Sequence, residues 1–386
     1  MPVMNVKQQL SAIHADFGAA EINEVLSTLA IWKEKQFFDE LSAISWLLTF
    51  SDPQQIPTDL HTRLPASRIS LCIPEVMCAE RDNHSRLKHF ASNGFRVFTD
   101  EFASQTELAW ADTKQIALDC SNGVPFFAKG WTGRLGAAQH WAKNISTPNV
   151  LEQAQQAGFK WFSGEYAFQP PVLNKTADGS ARTRLLKLLG LVARDADSAE
   201  LEELFKQDAS LSFMLFKLVS SAAFAQTMRV SSFAQAINLL GRRQLQRWLQ
   251  LLLYARQQDQ VGGLNPLMAR AAFRASMMEN LCLRLGGSKD DLDGAFMVGM
   301  FSLLDKLFGS ELPEILQPLC LEQHILDALL ERSGQLGLCL RLVECADRPQ
   351  GPLLTETLQL LELDADTYYD SVLRAYIWVN QVCRDM

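Results

Sequence analysis

Four short apolar segments, at residues 69–73, 95–99, 115–118 and 159–162, are separated by longer stretches of helical periodicity, and none recurs after residue 175. Strand-length apolar runs alternate with amphipathic stretches when each strand returns to one sheet through a crossover helix. The first part of the chain is therefore predicted to build a parallel sheet, open or closed into a barrel. Between the strands, residues 86–92, 135–142 and 150–157 carry the amphipathic pattern. Gly94 and Gly158 are placed to end two of these helices, glycine being the residue that tolerates the left-handed conformation after a last helical turn. The first 60 residues read differently. Ile22, Leu26, Leu29, Trp32 and Phe37 recur at helical spacing, and this segment is predicted to be largely helical.

Pro170-Pro171 ends the alternating pattern, and Lys175-Thr176-Ala177-Asp178-Gly179-Ser180 is turn chemistry. Beyond it, residues 185–192, 201–205, 211–224, 233–240, 245–254, 268–285, 295–307 and 353–382 all have helical periodicity. The predicted organisation is an α/β domain over residues 1–171, a linker over 172–182 and an all-helical domain over 183–386. In the helix predicted over 245–254, Leu245, Trp248, Leu249 and Leu252 share one face, so Trp248 is expected to anchor the helical core.

Charge narrows the function. The net charge is −8, and residues 1–170 hold 14 Lys/Arg against 18 Asp/Glu, so neither half is basic. The electrostatic footprint of a nucleic-acid binder is missing. The clusters Arg182/Arg184/Lys187 and Arg242/Arg243/Arg247 read as solvated helix faces. None of the eight cysteines forms a Cys-x-x-Cys pair, and most sit among apolar residues, as core thiols do in a reducing compartment. No apolar run follows the first residues or reaches membrane-spanning length, so a cytoplasmic protein without membrane contact is expected.

Candidate chemistry is sparse. The segment at 95–99 is closed by the acidic pair Asp100-Glu101, and the segment at 115–118 by Asp119. Acids at strand ends are where a parallel barrel keeps its site. The other two segments offer a thiol, Cys72, and Ser163-Gly164-Glu165. No phosphate-cradling glycine loop or nucleophile elbow is present. Residues 175–386 contain a single histidine, His324, too few for a histidine-rich dinuclear centre.

The motifs of the second half resemble the HDOD domain: Arg184-Leu185-Leu186-Lys187-Leu188-Leu189, Lys206-Gln207-Asp208-Ala209-Ser210-Leu211, Ser231-Ser232-Phe233 through Gln246-Arg247-Trp248, and Ala295-Phe296-Met297 through Leu304-Asp305. The first half resembles a degenerate EAL domain, the cyclic-di-GMP phosphodiesterase fold of bacteria. The resemblance implies a (β/α) barrel that is incomplete, because no Glu-Ala-Leu strand is recognisable near the amino end. It also implies a lost site. A catalytic Glu is replaced by Cys72, the Asp-Asp pair survives as Asp100-Glu101 and its glycine becomes Ala103. The lysine becomes Ala117, two glutamates become Lys143 and Ser146, and the terminal glutamine becomes Ser163. In the helical half, the place of an HD-type His-Asp pair reads Leu304-Asp305.

Together the halves resemble bacterial EAL–HDOD signalling proteins. The resemblance implies no catalytic residues, no cofactor and no metal, with Asp100, Glu101 and Asp119 left as a vestigial cleft. The expected function is a non-catalytic signal-transduction scaffold that binds other signalling proteins. A cyclic-di-GMP receptor without hydrolysis, a weak cyclic-di-GMP phosphodiesterase and a homodimer stay open.

Overall fold

The computed structural model describes every residue except 18–19, 104–113, 137, 170–176, 220–231, 256–264, 320, 348–350 and 386. The chain divides into two compact units, one of Met1–Gln169 with Tyr376–Met386 and one of Pro170–Ala375.

The first unit is a closed barrel of eight strands in sequential order. They are β1 (Pro2–Met4), β2 (Leu10–Asp16), β3 (Ser45–Thr49), β4 (Ile69–Pro74), β5 (Arg96–Asp100), β6 (Gln115–Asp119), β7 (Trp141–Ile145) and β8 (Trp161–Gly164). Strands β2 to β8 pair in parallel. The short β1 lies antiparallel to both β2 and β8 and completes the ring.

All four strands expected from apolar patterning are present. Two expectations are corrected. The barrel is complete, and the first 60 residues are not largely helical, because they hold β1, β2 and β3. The helical spacing from Ile22 onward is real and forms the helix Ile22–Glu34. The strands around it were hidden because β1 has three residues and β2 interleaves its apolar positions with Ser11 and His14. Residues 135–142 also divide differently. The helix Ala128–Leu135 ends at their start, and Trp141 opens β7. Gly158 sits at φ 96° just beyond the helix Pro148–Gln156, as its placement required.

Side chains alternate between the two faces of each strand. One buried cluster takes a residue from every strand: Val3, Ala12, Leu47, Cys72, Phe98, Ala117, Trp141 and Trp161. This is the barrel interior. Three large aromatics are matched by small residues at Ala12, Cys72 and Ala117, which lets the layer fill at crystal-like density. Phe98 and Trp161 stack at 5.8 Å with an interplanar angle of 13°. The intervening positions, such as Ile116, Leu118, Ala142 and Phe162, face outward and pack with Leu151, Ala154 and Phe159 from the surrounding shell.

The second unit is helical throughout its described residues. Asp178-Gly179-Ser180, read as turn chemistry, lies inside the helix Ala177–Ala193, whereas Lys175 and Thr176 lie outside the described residues. The helix Arg242–Ala255 buries Leu245, Leu249, Leu252 and Leu253. Trp248 is only half-buried, which corrects its assignment as a core anchor: the apolar stripe runs one residue to the side, through Leu249 and Leu253. The helices Pro266–Arg284 and Lys289–Phe301 run close enough that a β-carbon on Gly299 would come within 2.4 Å of the Ala275 α-carbon.

Candidate functional site

Two residues beyond the interior layer, the same inward face reaches the carboxyl-terminal mouth of the barrel, where parallel barrels carry their chemistry. His14, Thr49, Asp100, Asp119, Lys143 and Ser163 occupy that next layer on β2, β3, β5, β6, β7 and β8.

Asp100 is the most constrained of them. It is 2% exposed, and its Oδ1 accepts the Glu101 backbone N–H at 2.7 Å. The same oxygen lies 2.5 Å from the Lys143 ammonium. Lys143 reaches it from β7 across the mouth, with its Nζ 5.5 Å from the Trp141 ring centre. A carboxylate removed from water needs such compensation, since an isolated buried charge is prohibitively costly.

The other two expected acids point to different tasks. Glu101 is exposed and takes a left-handed backbone, φ 49°. Asp119 accepts the Ser121 backbone N–H at 2.8 Å and so closes its own loop. Partial burial works to raise the Asp119 carboxyl, but hydrogen bonds from Ser121 and Asn144 and the charge of Lys143 outweigh it and hold the group low. A fourth acid is Glu75, which is 7% exposed and accepts the Ala103 backbone N–H at 2.7 Å.

Cys72 and Ala117 are fully buried in the interior layer. Burial drives the Cys72 thiol well above its ordinary range, and the charge of Asp100 pushes the same way. A thiol held protonated among hydrocarbon is not a nucleophile. Ser163 accepts the Trp141 indole N–H at 3.0 Å. Ser146 is half-buried just past β7, next to Thr147, whose hydroxyl caps the following helix through Val150 N–H at 3.3 Å. Gly164 is required by geometry, because a β-carbon there would lie 2.3 Å from the Ile145 backbone.

His14 is the mouth residue that pattern reading missed. Its Nε2 is 2.8 Å from the Thr49 hydroxyl, and its ring meets Trp141 edge-on at 4.8 Å. Burial first, then the terminal ammonium and Lys143, lowers its pKa to about 3, so the imidazole is neutral. The signal for it lay two residues past Ala12, on a strand whose pattern was masked.

The donor set at this mouth does not fit the divalent metals of a two-metal phosphodiesterase. A two-metal site needs several free carboxylate or amide oxygens converging on one place. Here Asp100 faces an ammonium, Glu75 holds a backbone amide and Asp119 holds a turn. Among the described residues, no group of three His, Cys, Asp or Glu could hold a metal ion.

The helical unit gives a parallel result. His324 is an exposed residue of the first turn of the helix Gln323–Glu331, 3.3 Å from Glu322. Leu304 is buried, and Asp305 pairs with Lys306 at 3.0 Å. A buried polar cluster of this unit is instead an ion-pair network of two arginines with Asp347 and Glu344. Arg274 meets Asp347 at 2.9 Å and donates to the Ser302 hydroxyl at 3.0 Å, and Arg270 meets Asp347 at 3.4 Å.

Comparison with known proteins gives four relevant findings. Residues 181–333 match the family model described as the HDOD domain. Cyclic di-GMP phosphodiesterase CdgJ of Vibrio cholerae serotype O1 is 24% identical over 339 residues, spanning 84% of this chain and 76% of that protein. The uncharacterized protein YuxH of Bacillus subtilis is 25% identical over 244 residues, spanning 62% of this chain and 58% of that protein. Among solved structures, the EAL domain of Mycobacterium smegmatis DcpA aligns with 42% of this chain and 87% of its own length, at 14% identity and a TM-score of 0.35.

Proposed function

We propose that this chain is a non-catalytic signal-transduction protein of the cyclic-di-GMP network, whose degenerate EAL-type barrel and HDOD domain act by holding partner proteins. The observation that carries the reading is the pair Cys72 and Ala117. Both are fully buried within a closed layer of eight interior side chains. A thiol held protonated and a methyl group supply neither a ligand nor a proton at the positions where a phosphodiesterase of this kind keeps its machinery. Similarity to a relative named as a cyclic di-GMP phosphodiesterase supports the network, and the HDOD match supports a signalling role for the helical half.

A second reading, a receptor that binds cyclic-di-GMP without hydrolysing it, draws on the same relative. Electrostatics weigh against it. Among the described residues, Asp16, Glu75, Asp100, Glu101, Asp119 and Glu165 stand at or just past the strand ends, against Lys143 and the terminal ammonium beside His14. A ligand with two phosphates gains little at such a mouth unless divalent cations come with it.

Full-length protein incubated with cyclic-di-GMP and Mg²⁺ or Mn²⁺ is expected to release no linear dinucleotide above a buffer blank. Turnover that disappears in Asp100→Ala would overturn the proposal. A melting midpoint unchanged by saturating nucleotide favours the scaffold. A rise in midpoint without turnover favours the receptor, because any ligand of the native state stabilises it.

A further inference from the structure

We propose that Lys143 is a resident cation of the barrel mouth, a covalently attached ammonium that takes the role a divalent metal would have and closes the mouth to metals. The inference deepens the non-catalytic reading and rests on it, and it is tested by metal binding and stability rather than by turnover.

Three observations converge. First, the Lys143 ammonium lies 2.5 Å from Asp100 Oδ1, and the Asp100 side chain is 3% exposed. A buried carboxylate binds whichever cation is nearest, and one tethered to the same barrel two strands away has an effective concentration no dissolved ion can match. Second, Lys143 stands opposite Asp119 in the β6–β7 register. The ammonium therefore sits on the strand between β6 and β8 with an acid on the adjacent strand and another two strands away, in the place from which an ion would draw on both. Third, the Trp141 ring faces the ammonium at 5.5 Å and Cys72 lies in the layer beneath. Neither is an oxygen donor for a hard cation, whereas an aromatic face suits an ammonium.

The consequence is specific. Lys143 compensates Asp100, so removing it should strand a buried negative charge. Removing Asp100 as well should relieve most of the loss, and replacing Lys143 by a carboxylate should create a demand for metal. In the full-length protein, Lys143→Met is expected to lower the melting midpoint by roughly 5–15 °C, with Lys143→Met/Asp100→Asn recovering at least half of that drop. Wild type in EDTA and in 5 mM Mn²⁺ should melt at the same temperature. Lys143→Glu should melt low in EDTA and regain several degrees in Mn²⁺, and the gain should vanish when Asp100→Asn is added. Mn²⁺ stabilisation of wild type that depends on Asp100 would overturn the proposal. So would a double variant whose loss is the sum of the two single losses. Should Lys143→Glu not fold, the Lys143→Met and double-variant arm decides alone.

Discussion

His14 and Lys143 show how one side chain can set the chemistry of its neighbours. Both touch Trp141, His14 as a neutral ring that meets it edge-on and Lys143 as an ammonium over its face. His14 has a folded-state pKa near 3 against 6.5 when unfolded. Because the folded value is depressed, the unfolded chain takes up a proton first as pH falls. Stability from this group is complete above pH 6.5 and is lost toward pH 3. The slope approaches about 1.4 kcal/mol per pH unit at its steepest. Urea unfolding between pH 7.5 and 4.5 should show a midpoint falling with pH, and His14→Gln should flatten that fall. An equal slope in both proteins would mean that other groups carry it.

At the scale of elements, close approach between backbones fixes the tolerances. The helices Pro266–Arg284 and Lys289–Phe301 meet at Gly299 with no room for a methyl group. Gly299→Ala should therefore cost about 1–3 kcal/mol or more through overpacking, read as a lower urea midpoint with helical content retained. An unchanged midpoint would mean that the helices separate at no cost.

The same scale explains what was legible in the chain. β4, β5, β6 and β8 announced themselves because continuous apolar runs mark strands buried on both faces. β1 and β2 did not, since a three-residue strand has no period and β2 carries polar residues on its inner face as it nears the mouth. β7 was obscured because Lys143 and Asn144 interrupt it. For the site, Asp100 and the losses at Cys72 and Ala117 could be read directly. The pairing of Asp100 with Lys143 could not, because it joins strands 43 residues apart in sequence, and only barrel closure brings them to one mouth.

For the whole molecule, the cysteines report on compactness. Six are described as free and buried: Cys72, Cys78, Cys120, Cys282, Cys339 and Cys345. Burial pushes the thiols of Cys78, Cys120 and Cys339 up to about 12. Titration of the native protein with a thiol reagent at pH 8 should leave these six unreactive, and denaturation should release all eight cysteines of the chain. Rapid reaction of more than two would show that one of the cores breathes open. The barrel itself has one short clasp. Seven strands run side by side in the same sense, and three residues, Pro2–Met4, hold the first of them to the last. A ring has no ends until it is cut, and cutting it at its shortest member exposes the bonding edges of β2 and β8 in one event. The integrity of the enclosure thus hangs on the smallest of its strands.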